Sequence, residues 1–534
     1  MSELKKQPFL KGALILAVTN LLVKLLGALF KIPIRRFVLS GEGYGIYTSS
    51  YTIYNVLFII ATAGLPVAIS KMVSESIAKN NFKEALQIQK IAQKLLLVIG
   101  IVGSLILFFG AKLFANSIGI SEAWRPIMAL APCLFFVACM SVYRGMFQGM
   151  SNMIPTATSE LIESCGKLII GLALAFVLLD KTNPESTVSQ SMAAAGAILG
   201  VSCGALLGAV YLFFQFRATK KVLKEKESAE GSVVSPSKTI LVKLLKLAVP
   251  ITIGSAVFTL ASFIDLTMIV NLLKGLGYIE KERSTMWGYY NDAMTMFNLP
   301  PALVASLSVS VVPAISTALT AKKFAEAKAT TETAIRIALL FALPCAIGMS
   351  VLAGPILNLV IKDVGGADML TVLAYGVAFV SVVMVSNAIL QSNGKVWTPV
   401  IHMLLGGVVK IIVNFILVGN PSININGAPY GTVLCYLTVM VLNLLSVQKL
   451  LHPNYGWGFI LKTLCAVALM GVVAYYVNLV LVPFLGSNLS LLVAIGAGGV
   501  TYLVLLVALR ALKKQDVEAM PGSKYILKLI GRFI

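Results

Sequence analysis

The sequence predicts an all-α integral membrane protein of about 14 transmembrane helices, built as two pseudo-symmetric six-helix lobes, which are parallel repeats, plus a C-terminal helix pair. Three observations predict it. Hydrophobic residues make up 58% of the chain, charged residues only 12%, and the mean hydropathy is +0.89, whereas a soluble domain carries about 25% charge. About fourteen apolar runs each approach the roughly 20 residues that a helix needs to cross a bilayer. The third observation is an internal duplication, in which two long stretches carry the same marks in the same order.

Taken in order, the runs of the N-lobe (1–216) are 10–38, 43–70, 89–111, 125–148, 156–179 and 191–216. A cytoplasmic basic linker follows over 217–245, with Lys220, Lys221, Lys224, Lys226 and a Gly231-Ser-Val-Val-Ser-Pro stretch, the composition of an inter-lobe connection. The C-lobe (246–450) holds 246–273, 285–315, 333–354, 367–391, 397–419 and 428–449. Runs 459–482 and 488–511 form the terminal pair within 451–534, and Lys524 to Ile534 reads as a basic amphipathic tail on the inner leaflet. An even number of spans per lobe gives both lobes one orientation, so the pseudo-twofold runs along the membrane normal.

The duplication can be read residue by residue. Pro66-Val-Ala-Ile-Ser70, Asn80-Asn-Phe-Lys-Glu-Ala85, Gln148, Lys167 and Gly196-Ala-Ile-Leu-Gly200 are answered by Val312-Pro-Ala-Ile-Ser316, Lys322-Lys-Phe-Ala-Glu-Ala327, Gln391, Lys410 and Gly427-Ala-Pro-Tyr-Gly431. Phe82 and Phe324 lie 242 apart, Lys167 and Lys410 243, and Gly196 and Gly427 231. Two similar lobes facing each other across a gap is a transporter plan.

The net charge of +21 would suggest nucleic acid in a soluble protein. Here most Lys and Arg fall on segments that are internal if the N-terminus starts in the cytoplasm, the asymmetry of the positive-inside rule. Both termini are then cytoplasmic, and no nucleic-acid partner is expected. The first span is too long for a signal-peptide core and has no small-residue cleavage site, so it is expected to be retained. The seven cysteines all fall in apolar runs without metal-ligand spacing and read as small core residues.

Enzyme chemistry has little room. No Gly-x-x-x-x-Gly-Lys-Ser/Thr loop is present to cradle nucleotide phosphates. His402 and His452 belong to no metal-ligand pair. Outer loops are short, which weighs against a membrane glycan polymerase or ligase with an extracytoplasmic catalytic loop.

Ionisable residues inside the membrane cost about 2.5–3.5 kcal/mol each on insertion scales, so each is expected to face protein, water or a partner. In the first span Lys24, Lys31 and Arg35 share a helix face, with Arg36 beside them. Such a stripe suits an anionic group such as a diphosphate, while Arg35 and Arg36 have the alternative of snorkelling to the outer headgroups. Glu163 and Lys167 stand at i and i+4, the spacing of an intrahelical salt bridge. Asp265 and Lys410 can pair or bias two conformations through protonation or ion binding. Asp292 lies near the outer end of the eighth span, and Arg144 near the inner end of the fourth, where it can face anionic lipid. Pro33, Pro66, Pro250 and Pro300-Pro301 remove backbone hydrogen bonds along spans one, two, seven and eight.

Lys11-Gly-Ala-Leu-Ile-Leu, Lys24-Leu-Leu-Gly-Ala-Leu-Phe-Lys-Ile-Pro33, Arg36 and Gly41-Glu-Gly-Tyr-Gly-Ile-Tyr47 resemble the opening of the stage V sporulation protein B/polysaccharide biosynthesis transporter family. Gln148-Gly-Met-Ser-Asn-Met-Ile-Pro-Thr-Ala157, Glu163, Lys167 and Asn298-Leu-Pro300 continue the resemblance over essentially the whole chain. That family sits with the MurJ-type lipid II flippases in the MOP (multidrug/oligosaccharidyl-lipid/polysaccharide) exporter superfamily. The resemblance implies alternating access that turns a lipid-linked sugar headgroup to the outer face of a bacterial cytoplasmic membrane. It also implies a diphosphate held by basic residues, a part that Lys24, Lys31 and Arg36 fit. The eighth-helix Arg of the proteobacterial branch is missing, since the chain reads Ala293-Met-Thr-Met-Phe-Asn-Leu-Pro300. Some relatives bind a cation with acids of helices seven and eleven; Asp265 fits the first role, and Lys410 would replace the ion by a tethered charge.

The expectation is therefore a non-enzymatic flippase for a lipid-linked oligosaccharide, foremost the peptidoglycan precursor lipid II. The expected substrate-binding set is Lys24, Lys31, Arg35, Arg36, Glu42, Arg144, Glu163, Lys167 and Asp292, with Asp265 and Lys410 as the coupling or charge-pair positions. No cofactor or metal is expected, apart from a coupling cation (Na+ or H+) or the membrane potential. Partners are the anionic glycolipid, membrane lipids and cell-wall synthesis proteins. Alternatives are an exporter of another lipid-linked polysaccharide repeat unit and an ion-coupled multidrug exporter.

Overall fold

Apolar runs of this length have one stable solution in a bilayer, helices that satisfy their own backbone hydrogen bonds. A computed structural model describes residues 9–227 and 235–511 of the chain, and these residues are helical almost throughout, without a strand. The N-terminal Met1-Ser-Glu-Leu-Lys-Lys, the Gly231 stretch of the linker and the tail from Lys524 to Ile534 lie outside the described residues.

The helices are α1 (Phe9–Phe37), α2 (Gly41–Thr62), α3 (Gly64–Ala78), α4 (Phe82–Ser117), α5 (Trp124–Gly149), α6 (Ile154–Leu178), α7 (Thr187–Glu227) and α8 (Ser237–Gly275). They continue as α9 (Glu280–Phe297), α10 (Leu299–Thr320), α11 (Phe324–Val351), α12 (Ala353–Ile361), α13 (Ala367–Ser392), α14 (Trp397–Val418), α15 (Ala428–Leu451) and α16 (Trp457–Ala508). A 3-10 turn, Ser121–Ala123, precedes α5. Among the described residues, ten stretches are long and apolar enough to cross a membrane, against about fourteen expected. Two expected spans are broken. Run 43–70 divides into α2 and α3 at Ala63, just before Pro66, and run 285–315 into α9 and α10 at Asn298, where Pro300 opens the new helix. Proline fits the first turn of a helix, where no amide donor is needed. The terminal pair is joined at Gly486, whose φ of 72° only glycine adopts freely.

The chain divides into two compact units, Met1–Gly288 and Tyr289–Ile534, with the boundary inside α9. The first contains α1 to α8. Helix α8, which the sequence boundary at 246 counted with the second lobe, packs on α2, α3 and α4. Its backbone crosses α3 at Gly64, where any side chain would run into the Ala248 carbonyl.

In the second unit, Ile315 and Ala318 of α10 and Ile335 and Ala338 of α11 pack with Val385 and Ile389 of α13 and Val447 of α15. The terminal pair docks on α11 through Leu340, Val467, Met470, Tyr502 and Leu506. There the Tyr502 hydroxyl donates to the Leu340 carbonyl at 2.9 Å, and the Arg336 guanidinium lies 4.0 Å from the Phe459 ring centre.

The duplication reappears as the same local structure inside each unit. Asn80 (φ 55°) and Lys322 (φ 57°) take the left-handed conformation at the joints before α4 and α11. Ser151 (φ 56°) and Gly394 (φ 76°), 243 residues apart, repeat the correspondence before α6 and α14. A Cβ on Gly196 would lie 2.6 Å from the Leu174 carbonyl oxygen, and one on Gly427 2.6 Å from the Leu417 Cβ. Leu174 and Leu417 are also 243 apart, so α6 is approached by a glycine of α7 and α14 by the glycine that ends the 3-10 turn Asn424–Gly427 just before α15. Close backbone approach through small residues is how helices associate in lipid, where apolar burial drives nothing.

Candidate functional site

Four intramembrane charges of the first unit, Lys31, Arg144, Glu163 and Lys167, gather where α1, α2, α5 and α6 meet. Helix α1 brings Lys31 beside Phe30, which is 1% exposed. Helix α6 brings Lys167, whose ammonium lies 5.0 Å from the Phe30 ring centre and 4.9 Å from that of Tyr51. Cation–π contacts of this kind contribute about 0.5–2 kcal/mol. Lys31 and Lys167 are near enough to repel each other, and among the described residues no carboxylate comes within ion-pair distance of either.

The intrahelical Glu163–Lys167 salt bridge expected from i, i+4 spacing is not formed. Glu163 instead accepts from the Arg144 guanidinium of α5 at 2.9 Å, and the same guanidinium donates to Ser159 Oγ at 3.0 Å. Arginine presents several donors in one plane and so can hold a carboxylate and a hydroxyl together. Arg144 is thus engaged inside the protein, which corrects the expectation that it faces anionic lipid. With Glu163 bonded to Arg144, its charge still acts on Lys167 from a distance, but neither lysine forms an ion pair among the described residues.

The α2 side of this region is aromatic. Tyr44, Tyr47, Tyr51, Tyr54 and Phe58 follow one another at ring-centre distances of 5.9, 6.1, 5.7 and 5.4 Å, with Phe30 of α1 6.2 Å from Tyr47. The sequence reading missed this ladder, although alternating steps of three and four residues place the rings on one helix face.

Other expected site residues are placed elsewhere. Lys24 is exposed on α1. Arg35 is 5% exposed and donates to the Leu39 carbonyl at 3.0 Å, so it closes the end of α1 instead of snorkelling. The Arg36 guanidinium lies 5.6 Å from the Phe37 ring centre. Asp265, 7% exposed, sits on α8 in the first unit; Asp292, 2% exposed, and Lys410 sit on α9 and α14 in the second.

Glu42, expected to touch substrate, is 3% exposed in the first turn of α2. It lies where α2 crosses the start of α9. Any side chain at Gly45 or Gly288 would strike the opposite backbone, and Ser284 Oγ donates to the Glu42 carbonyl oxygen at 3.1 Å. Around this crossing Glu280 accepts from Ser121 Oγ and, at 3.1 Å, from the Glu122 amide. Arg283 donates to the Gly119 carbonyl at 2.8 Å and to that of Tyr278 at 2.7 Å. Loop contacts of this kind have no periodic signal, and the sequence reading did not find Glu280 or Arg283.

In the second unit His402 Nδ1 lies 2.7 Å from Asn443 Oδ1, and the Asn443 amide donates to Ser386 Oγ at 3.0 Å and Asn387 Oδ1 at 2.7 Å. This buried network ties α13, α14 and α15 together.

The all-helical fold is shared with solved structures described as a lipid II flippase and as a multidrug resistance transporter. Residues 9–319 match the model of the family described as polysaccharide biosynthesis protein, and residues 289–416 match that described as MatE. The chain belongs to the polysaccharide biosynthesis protein family. It is 27% identical to stage V sporulation protein B of Bacillus subtilis (strain 168) over 99% of both chains. It is 24% identical to lipid II flippase MurJ of the same organism, over 96% of this chain and 97% of the relative. A solved structure of lipid II flippase MurJ in an inward closed conformation superposes with a TM-score of 0.68 at 16% identity, covering 91% of this chain and 97% of that one. An inward-facing multidrug resistance MATE family transporter of the MOP superfamily gives a TM-score of 0.63 at 14% identity, over 82% and 98%.

Proposed function

We propose that the chain is a flippase for a lipid-linked oligosaccharide, foremost the peptidoglycan precursor lipid II, working by alternating access in a bacterial cytoplasmic membrane. The observation that carries this reading is the pair Lys31 and Lys167, brought together from two helices beside an aromatic wall while Glu163 is held by Arg144. Two close ammonium groups that lack an ion-paired carboxylate repel each other, and an anion lying between them relieves that repulsion. A diphosphate supplies that anion, and the Tyr51 ring offers a face on which sugar can lie. The similarity to lipid II flippase MurJ along nearly the whole chain supports the same substrate class.

In this reading the helices make fourteen spans in two six-helix lobes plus the terminal pair, with both termini cytoplasmic. The membrane potential or a cation resets the cycle, and cell-wall synthesis proteins receive the product. The MatE match over residues 289–416 favours a second reading, ion-coupled export of organic cations, but two adjacent lysines without an ion-pair partner disfavour such substrates. The test is complementation of a bacterium depleted of its essential lipid II flippase. Survival without precursor accumulation supports lipid II. Death with the protein present in the membrane moves the substrate to another lipid-linked polysaccharide.

A further inference from the structure

The crossing of α2 with the start of α9 holds a carboxyl group that the substrate site does not use. Both oxygens of Glu42 are buried and accept no hydrogen bond. The nearest cation is Lys281 of α9, whose ammonium stands 3.9 Å from Glu42 Oε2 on a side chain that is 57% exposed, so water screens much of its attraction. The other charges facing Glu42 are two carboxylates, Glu280 of α9 and Glu122 of the 3-10 turn; Thr187 at the start of α7 is its one nearby side-chain donor and favours the ionised form, against the larger effect of burial.

The three acids are not equivalent. Glu122 is paired with Arg125. Glu280 receives hydrogen bonds from Ser121 and from the Glu122 amide. Glu42 has only the Thr187 side chain as a nearby donor, outside hydrogen-bond geometry, and an ionised carboxylate buried with so little hydrogen bonding beside two others is expensive. A protonated carboxyl removes that cost.

We propose that Glu42 is a proton-binding site: it carries a proton while α2 and α9 are crossed, and losing that proton favours their separation. The crossing leaves no slack, because Gly45 and Gly288 place each backbone against the other helix. Separation therefore admits water to Glu42, where the ionised form is solvated. Binding of a proton to the crossed state in preference to the separated one makes the two equilibria reciprocal. The sign follows: low pH holds the crossing closed, and rising pH releases it. In a carrier with this crossing at its outer end, a proton taken from outside would close the outer face and return the empty site to the cytoplasm.

The test is hydrogen–deuterium exchange of the purified full chain in detergent, following the peptide over residues 280–288 from pH 5.5 to pH 8 and correcting for the intrinsic exchange rate. In the wild type the protection factor falls as pH rises, by at most tenfold per pH unit for one proton. Glu42→Gln, a mimic of the protonated acid, stays protected at pH 8, and Glu280→Gln keeps the pH dependence. Wild-type protection that is the same at both ends of the range overturns the proposal without any variant. So does a Glu42→Gln protein that loses protection as the wild type does. The measurement reads no transport, so its failure leaves the flippase reading standing, and failure of complementation leaves the proton site standing.

Discussion

Arg144 of α5 holds Glu163 of α6 at 2.9 Å, and this contact leaves Lys167, one helical turn further on, free to lie over Phe30 and Tyr51. The pair commits the Glu163 carboxylate to Arg144 in place of an ion pair with Lys167. Its partners are 16% and 23% exposed, so removing either one should cost about 2 kcal/mol, below the roughly 3–5 kcal/mol of a fully buried pair. Thermal unfolding of Arg144→Met, Glu163→Gln and the double variant checks this. The double variant is expected to lose less than the two single losses added together.

Lys31 and Lys167 should bind an anion. Inorganic pyrophosphate is expected to raise the melting temperature of the wild type, since a ligand at one hundred times its Kd stabilises by about 2.7 kcal/mol. The Lys31→Met/Lys167→Met protein should be stable without pyrophosphate and show no shift with it, because the repulsion and the site disappear together. An equal shift in both proteins would place the anion elsewhere.

The repeated helix crossings should respond alike. Gly196→Leu and Gly427→Leu each push a side chain against a neighbouring helix, and overpacking of this kind costs about 1–3 kcal/mol. Similar losses of melting temperature in the two variants are expected. A large loss in one with none in the other would show that the crossings are not equivalent.

Asn443 is fully buried and bridges His402, Ser386 and Asn387. Hydrogen bonds between membrane helices contribute about 0.6 kcal/mol on average and about 1.7 at most. Asn443→Leu should therefore destabilise by about 1–2 kcal/mol and loosen α14, seen as faster amide exchange over residues 397–418.

Much of this is legible in the sequence. Fixed offsets carried the duplication from Asn80 and Lys322 to matching left-handed turns, because a joint of fixed length between helices demands the same backbone. Pro66 and Pro300 marked breaks, since proline cannot donate an amide hydrogen bond inside a helix. Periodicity also put Lys24, Lys31 and Arg35 on one face of α1. It could not tell that Arg35 turns to the Leu39 carbonyl, or that Glu163 would find Arg144 in place of Lys167. Those outcomes depend on which neighbouring helix arrives. The burial of Glu42 depends on α9 crossing α2 two hundred and forty residues later, and a charge in a first helical turn looks the same whether exposed or buried.

The expected role of Lys31 and Lys167 is to carry the anionic headgroup of a lipid-linked oligosaccharide across the membrane. It is tested most directly in proteoliposomes loaded with a fluorescent undecaprenyl-diphosphate oligosaccharide, by following how much becomes accessible to a membrane-impermeant quencher. Transfer well above protein-free vesicles is expected with the wild type, and transfer at the protein-free level with the Lys31→Met/Lys167→Met variant, at equal protein density. Equal transfer by the two proteins, or none by the wild type, would contradict it.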